Sequence, residues 1–287
     1  MAAPPGLRRI VIRAGVPQAR VPAYVPAMIR YALLALFCAG PALAESQDDV
    51  LRASLLSGWR MENGHYMAAL DLQLAPQWKT YWRAPGEAGI PPAFDWKGSS
   101  NLKSVEFHWP SPQVITLNGM TSIGYLEELV LPVELVPVDP AQPVTLALKM
   151  DLGVCHDICM PAHLDFSGQL SGPGTRDGRI AAALQAGPQE VPPAGVQCDV
   201  MPIADGLRLT ARMPLPVQGK EETVVFETPD PQVWVAEASS HREGQVLVAQ
   251  TDLVPPAGAP FVLDRSGVTM TVLAPDHSVE MKGCPAP

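Results

Sequence analysis

The stretch VTLALKMDLGVCHDICMPAHLDF, residues 144–166, starts as a strand and ends in two closely spaced cysteines. Over Val144–Met150 apolar and polar side chains alternate, the period of a half-buried β-strand. Similar short runs recur at 67–74, 129–136, 207–213, 223–227, 245–249 and 268–273, separated by Pro- and Gly-rich turns. Strands at this spacing predict an all-β chain of sandwich type rather than a βαβ fold. One helix is expected over 176–186 (RDGRIAAALQA), stopped by Gly187-Pro188. It lies between Ser171-Gly-Pro-Gly174 and Val191-Pro-Pro-Ala-Gly195. That composition divides the chain into a first β domain over 46–172, a linker with a short helix over 173–189, and a second β-sandwich domain over 190–287. No sequence repeat relates the halves.

Residues 28–46, MIRYALLALFCAGPALAES, carry one Arg, an apolar run and an Ala42-Leu-Ala44 cleavage pattern. This is the layout of a secretory signal, too short to span a membrane. The expectation is a start at Met28, cleavage after Ala44, and loss of residues 1–44 together with Cys38. Five of the 20 basic residues and none of the 29 acidic ones precede Glu45, leaving 15 against 29 and a formal charge of −14. Such a surface repels phosphate backbones, so nucleic acid is excluded as a partner. No later apolar run is long enough to span a membrane, and the chain is expected to be exported and not membrane-spanning.

Four cysteines remain: Cys155, Cys159, Cys198 and Cys284. In an exported protein an even number reads as disulfide chemistry. The close pair and the distant pair fall in different halves, which favours Cys155–Cys159 with Cys198–Cys284. The second bridge would tie the first strand of its domain to the last across 86 positions, with no companion residues that suggest chemistry, and is read as structural.

The close pair admits three readings. An inert disulfide is possible, but so small a loop adds little chain-entropy stabilisation. A redox dithiol needs one thiolate, which the adjacent His156, or His163 folding back, could stabilise and Asp157 would oppose. A copper site is the third: Cys155, Cys159 and His163 have the spacing of the dinuclear copper loop of cytochrome oxidase subunit II. Phe166 stands where that site has a Met, His108 would have to be the upstream His, and Met160 is a soft ligand out of place. Trp78, Tyr81, Trp82, Trp96 and Trp109 read as core and loop anchors. Arg83 reads as a surface residue or as the partner of an acid beside the cysteines. Glu127-Glu128 reads as a solvated strand edge, and His65, His241 and His277 lack companions at ligand spacing. No phosphate-binding loop, nucleophile elbow or zinc-protease motif occurs, and no cofactor is expected.

Three segments in order, APQWKTYWRAPGEAGIPPAFDW (75–96), WPSPQVITLNGMTSIGYLEELVLPVEL (109–135) and DLGVCHDICMPAHLDF (151–166), resemble the N-terminal periplasmic domain of the DsbD thiol:disulfide interchange proteins. The variant is that of the copper-sensitivity suppressor ScsB and its relatives, and the resemblance spans about residues 47–170. It implies an immunoglobulin-like sandwich, hence two such domains in the whole chain, and a periplasmic location. It also implies that Cys155 and Cys159 are the active pair, with Cys159 attacking and Cys155 resolving. The implied partners are a membrane-embedded DsbD- or CcdA-like electron donor and periplasmic thioredoxin-fold proteins. The family's aromatic cap over the cysteines has no counterpart in Val114–Ser122, which offers only Leu117 and Met120. The membrane and thioredoxin-like domains of full-length DsbD do not follow, so the electrons are expected from a separate protein.

Overall fold

The computed structural model describes residues 46–117, 120–256, 261–275 and 277–287. The expected signal over 1–44, with Met28 and Cys38, lies outside them. From Glu45 to Pro287 the chain forms one compact unit.

After a one-turn helix α1 (Gln47–Val50), ten strands build the N-terminal sandwich. They are β1 (Leu51–Arg60), β2 (Tyr66–Leu74), β3 (Lys79–Tyr81), β4 (Ala93–Asp95), β5 (Leu102–Phe107), β6 (Gln113–Leu117), β7 (Met120–Leu126), β8 (Glu128–Pro137), β9 (Val144–Cys155) and β10 (Cys159–Leu170). One sheet has the order β1-β2-β8-β5; the other runs β10-β9-β3-β7-β6, with β4 also on β9. Alternation explains the core. Leu70, Leu72, Leu131, Val133, Leu148, Leu152 and Val154 meet with Trp82 between the two sheets, while intervening residues face outward.

The outer face of β2 is buried too, which is why Met67 and Ala69 break the polar alternation. Helix α2 (Gly178–Gln185) covers it through Ile180, with Leu184 packed alongside. Asp177 caps the helix by accepting from Arg179 N, and the Arg179 guanidinium reaches Asp71 at 2.8 Å. The segment read from sequence as a linker is therefore packed onto the first sandwich, because one face of the helix is apolar.

The C-terminal sandwich holds β11 (Gln189–Glu190), β12 (Gln197–Pro202), β13 (Leu207–Pro214), β14 (Thr223–Glu227), β15 (Trp234–Val235), β16 (Ser239–Glu243), β17 (Val246–Val254), β18 (Thr269–Leu273) and β19 (Ser278–Lys282). Its sheets are β11-β19-β18-β14 and β12-β13-β17-β15, with β16 also on β17. Both halves of the fold are thus immunoglobulin-like sandwiches. They meet through Arg83, whose guanidinium lies 2.9 Å from Glu227 and 2.5 Å from Glu280 and sits 4.6 Å from the Trp82 ring. Leu273 and Val225 extend the first core into the second sandwich. Arg83 is therefore an inter-sandwich clamp, neither a free surface residue nor the partner of an acid beside the cysteines.

Cys198 and Cys284 are bonded and fully buried, their Cα atoms 5.4 Å apart. Cys198 sits in β12; the domain's first strand is instead the two-residue β11, which pairs in parallel with β19. The bridge joins one sheet to the chain just past the last strand of the other. Closing 86 positions is worth roughly 4–5 kcal/mol in the chain-entropy model. Replacing both cysteines by alanine should lower the melting temperature of the C-terminal sandwich steeply, read by calorimetry. A double variant as stable as the parent would contradict a structural role.

Candidate functional site

Strands β9 and β10 pair without a break from Val144↔Leu170 to Cys155↔Cys159, so the two cysteines form the last rung of a long hairpin. The three residues between them, His156-Asp157-Ile158, make the turn, closed by His156 N donating to Ile158 O. Cys155 and Cys159 are disulfide-bonded, with Cα atoms 4.1 Å apart. The two cysteines are not equivalent in access: Cys155 is 1% exposed, whereas Cys159 is an exposed residue.

Strand β3 lies on the other side of β9 and pairs Lys79 with Cys155. Residues opposite one another share a face, and so do residues two apart on a strand. Lys79, Tyr81 and Cys155 therefore crowd one side of the sheet. The Tyr81 hydroxyl donates to Cys155 Sγ at 2.9 Å and lies 3.5 Å from Cys159 Sγ. A glycine in β9 makes room for this ring, and one in β7 lets the β3 backbone come close. A Cβ at Gly153 would come within 3.1 Å of Tyr81 and Ile90, and one at Gly124 within 2.1 Å of Thr80 O. Burial raises the Tyr81 pKa, so its hydroxyl keeps its proton and acts as a donor. Lys79 is buried and donates to Ser122 Oγ at 2.8 Å; desolvation lowers its pKa.

The entry into β3 is backbone-strained. Gln77 and Glu127 both adopt left-handed φ, 67° and 65°, and Gln77 N donates to the Glu127 carboxylate. Gln77 Oε1 in turn lies 3.3 Å from His156 Nε2, while His156 Nδ1 is 3.4 Å from Asp157. His156 is thereby directed along the turn toward Gln77. Glu127 is a structural acceptor here, more than the solvated strand edge expected of it.

The histidines proposed from spacing are dispersed. His163 sits in extended β10, four residues and therefore roughly 13 Å beyond Cys159. It does not fold back: its Nδ1 lies 2.5 Å from Asp151 Oδ1, its cross-strand partner. His108 faces Glu134 at 3.4 Å, and Met160 and Phe166 pack against the core. Among the described residues no group of three or more His, Cys, Asp or Glu side chains is arranged to hold a metal ion. No described helix is long and apolar enough to cross a membrane.

Trp78, Tyr81, Trp82 and Trp109 are buried, as anchors should be, and Trp96 packs against the core. What spacing missed is the role of Tyr81: the Lys79-Thr-Tyr81 alternation puts its side chain on the outer face of the sheet, at the sulfur. On that face Ile90 packs over Gly153, and Ser122 accepts from Lys79. Met120 is exposed, and the Leu117 side chain lies outside the described residues.

The family described as thiol:disulfide interchange protein DsbD, N-terminal, matches residues 51–170, which take in all ten strands of the first sandwich and both cysteines of the pair. Residues 51–170 belong to the DsbD N-terminal family. A solved structure, the N-terminal periplasmic domain of ScsB from Proteus mirabilis, superposes with a TM-score of 0.61 at 24% identity, covering 85% of this chain and 96% of that one. That likeness is one of fold, and it extends past the DsbD segment into the second sandwich. No curated protein matches the chain.

The geometry makes the pair unequal: Cys159 is exposed at the hairpin tip, while Cys155 is buried with the Tyr81 hydroxyl donating to its sulfur. Tyr81→Phe removes that hydrogen bond without changing the ring. A hydrogen bond to a charged partner is worth roughly 1.5–3 kcal/mol. Reduction of the pair by dithiothreitol should slow about tenfold with the melting temperature little changed. An unchanged rate would contradict the role given to the hydroxyl.

Proposed function

We propose that this chain is a periplasmic thiol–disulfide exchange module that passes electrons through Cys155 and Cys159 between a membrane-embedded donor and thioredoxin-fold proteins. The observation that carries the reading is the asymmetry of the pair: Cys159 is open at the tip of a hairpin, while Cys155 is buried against the Tyr81 hydroxyl. Membership of residues 51–170 in the DsbD N-terminal family supports it.

The exchange balances as follows. A donor thiolate bonds to Cys159 Sγ, the Cys155–Cys159 bond breaks, and its electron pair stays on Cys155 Sγ, where the Tyr81 O–H stabilises the charge. A second donor thiolate attacks the donor's own sulfur in this mixed disulfide, leaving Cys159 as a thiolate and the donor oxidised. Toward a substrate disulfide the sequence reverses: Cys159 attacks and Cys155 resolves. Two electrons move with no cofactor, because the dithiol itself carries them.

In this reading residues 46–172 are the redox domain, 173–189 the helical connection and 190–287 a second sandwich. The Cys155→Ser variant, which cannot resolve, should accumulate mixed disulfides through Cys159 when expressed with its signal and acid-quenched. The Cys159→Ser variant should accumulate far fewer. Equal trapping by both, or none by either, would count against the assignment of Cys159 as the attacking residue.

A further inference from the structure

We infer that the cleft between the two sandwiches is a docking site for an extended, lysine- or arginine-bearing segment of a partner protein, which adds to the open edge of β14 as a further strand. The inference stands on the cleft itself and is independent of the exchange reading above.

The cleft has a volume of about 650 Å³, within the range of roughly 300–1,000 Å³ typical of ligand sites. Its walls come from both halves of the fold. One wall is the loop after β3, through Pro85, Gly86, Gly89 and Pro91; the other is β14 and β15 with the turn between them. Every residue of β14, Thr223 to Glu227, lines it. Side chains of a strand alternate between two faces, so a strand that lines a cleft with consecutive residues turns its backbone edge toward it. That edge is open: β14 ends its sheet, and among the described residues it pairs with β18 alone. An unpaired strand edge presents a row of amides and carbonyls whose complement is another extended chain. β15 ends the other sheet of the same sandwich, and its Trp234 lines the cleft while remaining 52% exposed. Aromatic side chains left in that state are the kind that interfaces favour.

Charge selects the occupant. Among the described residues Arg83 is the one basic side chain lining the cleft, against Glu87, Glu227, Asp230 and Glu237. Arg83 is already held by Glu227 and Glu280. Glu87, Asp230 and Glu237 are exposed and make no ion pair among the described residues. A cationic segment would meet these carboxylates, and the exposed indole in the same cleft is a further partner for a guanidinium or ammonium. A second copy of this chain is a poor occupant, because 15 basic against 29 acidic residues after Ala44 leave it at −14.

The cleft adjoins the cysteine pair through one loop. Gly89 and Pro91 line it, and Ile90 between them packs over Gly153 alongside Tyr81, whose hydroxyl donates to Cys155 Sγ. A partner held there lies against the loop that also borders the disulfide.

The probe is a short, end-capped, cysteine-free peptide alternating Lys and Val, titrated calorimetrically into the full chain with both disulfides closed. It should bind saturably, and more weakly as salt rises. Its Glu–Val counterpart should not bind. Glu87→Gln, Asp230→Asn and Glu237→Gln combined should weaken the Lys–Val peptide about tenfold, the scale of three exposed ion pairs, with the melting temperature unchanged. The same peptide N-methylated throughout keeps its charge but cannot pair as a strand, and should bind at least about tenfold more weakly. Equal affinity for the Lys and Glu peptides, unchanged binding by the triple variant, or full binding of the N-methylated peptide would overturn the inference. So would the absence of saturable binding by the Lys–Val peptide. The peptide has no sulfur and the disulfides stay closed, so the result stands apart from whether Cys155 and Cys159 exchange.

Discussion

The ladder between β9 and β10 ends on Cys155 and Cys159, and nearly everything about the site follows from that closing rung. Twelve cross-strand pairs keep the register from Val144 to Cys155. A slip of one residue would turn every side chain of the hairpin to the opposite face. With the register held, Cys155 faces β3 and is buried, while Cys159 ends on the open side of a three-residue turn. The same two cysteines in a free loop would be chemically alike; here one can be reached and the other cannot.

The second constraint comes from β3, only three residues long and placed centrally in its sheet. It presents Tyr81 to Cys155, and its neighbour Arg83 leaves the sheet to meet Glu227 and Glu280 of the other sandwich. Desolvation alone would lower the Arg83 pKa, but the two carboxylates outweigh it and the net shift is upward. The strand carrying the phenol is thus continuous with the contact that seats the second sandwich. Gly153 gives space to the Tyr81 ring, and Gly124 lets the β3 backbone approach at Thr80.

The long alternating strands were legible in the sequence: β2, β8, β9, β13, β14, β17 and β18 fall on the runs read from period two. Helix α2 was legible from Asp177 to the Gly187-Pro188 stop. Its burial against Met67 and Ala69 was not, since the apolar stripe of a helix does not say which sheet it meets. β3 is too short for any periodicity, and β10 contains Pro161 with little contrast between its faces. Tyr81 was readable as buried, but the direction of its hydroxyl depends on which strands are neighbours, and that is set by long-range pairing. His163 failed as a site residue because the chain after Cys159 continues as a strand, and extended backbone carries it away from the sulfurs. The cysteine pair itself stood out by spacing and composition alone.

The reduction potential of the Cys155–Cys159 pair tests the central claim most directly. It would be measured against glutathione or dithiothreitol with Cys198–Cys284 left intact. Structural disulfides in exported proteins lie below about −300 mV, while exchange-competent pairs fall at about −120 to −270 mV. If the pair exchanges as proposed, with Cys159 exposed and Cys155 buried on the Tyr81 hydroxyl, it should fall in the second range. A value below about −300 mV would make the pair inert and contradict the account.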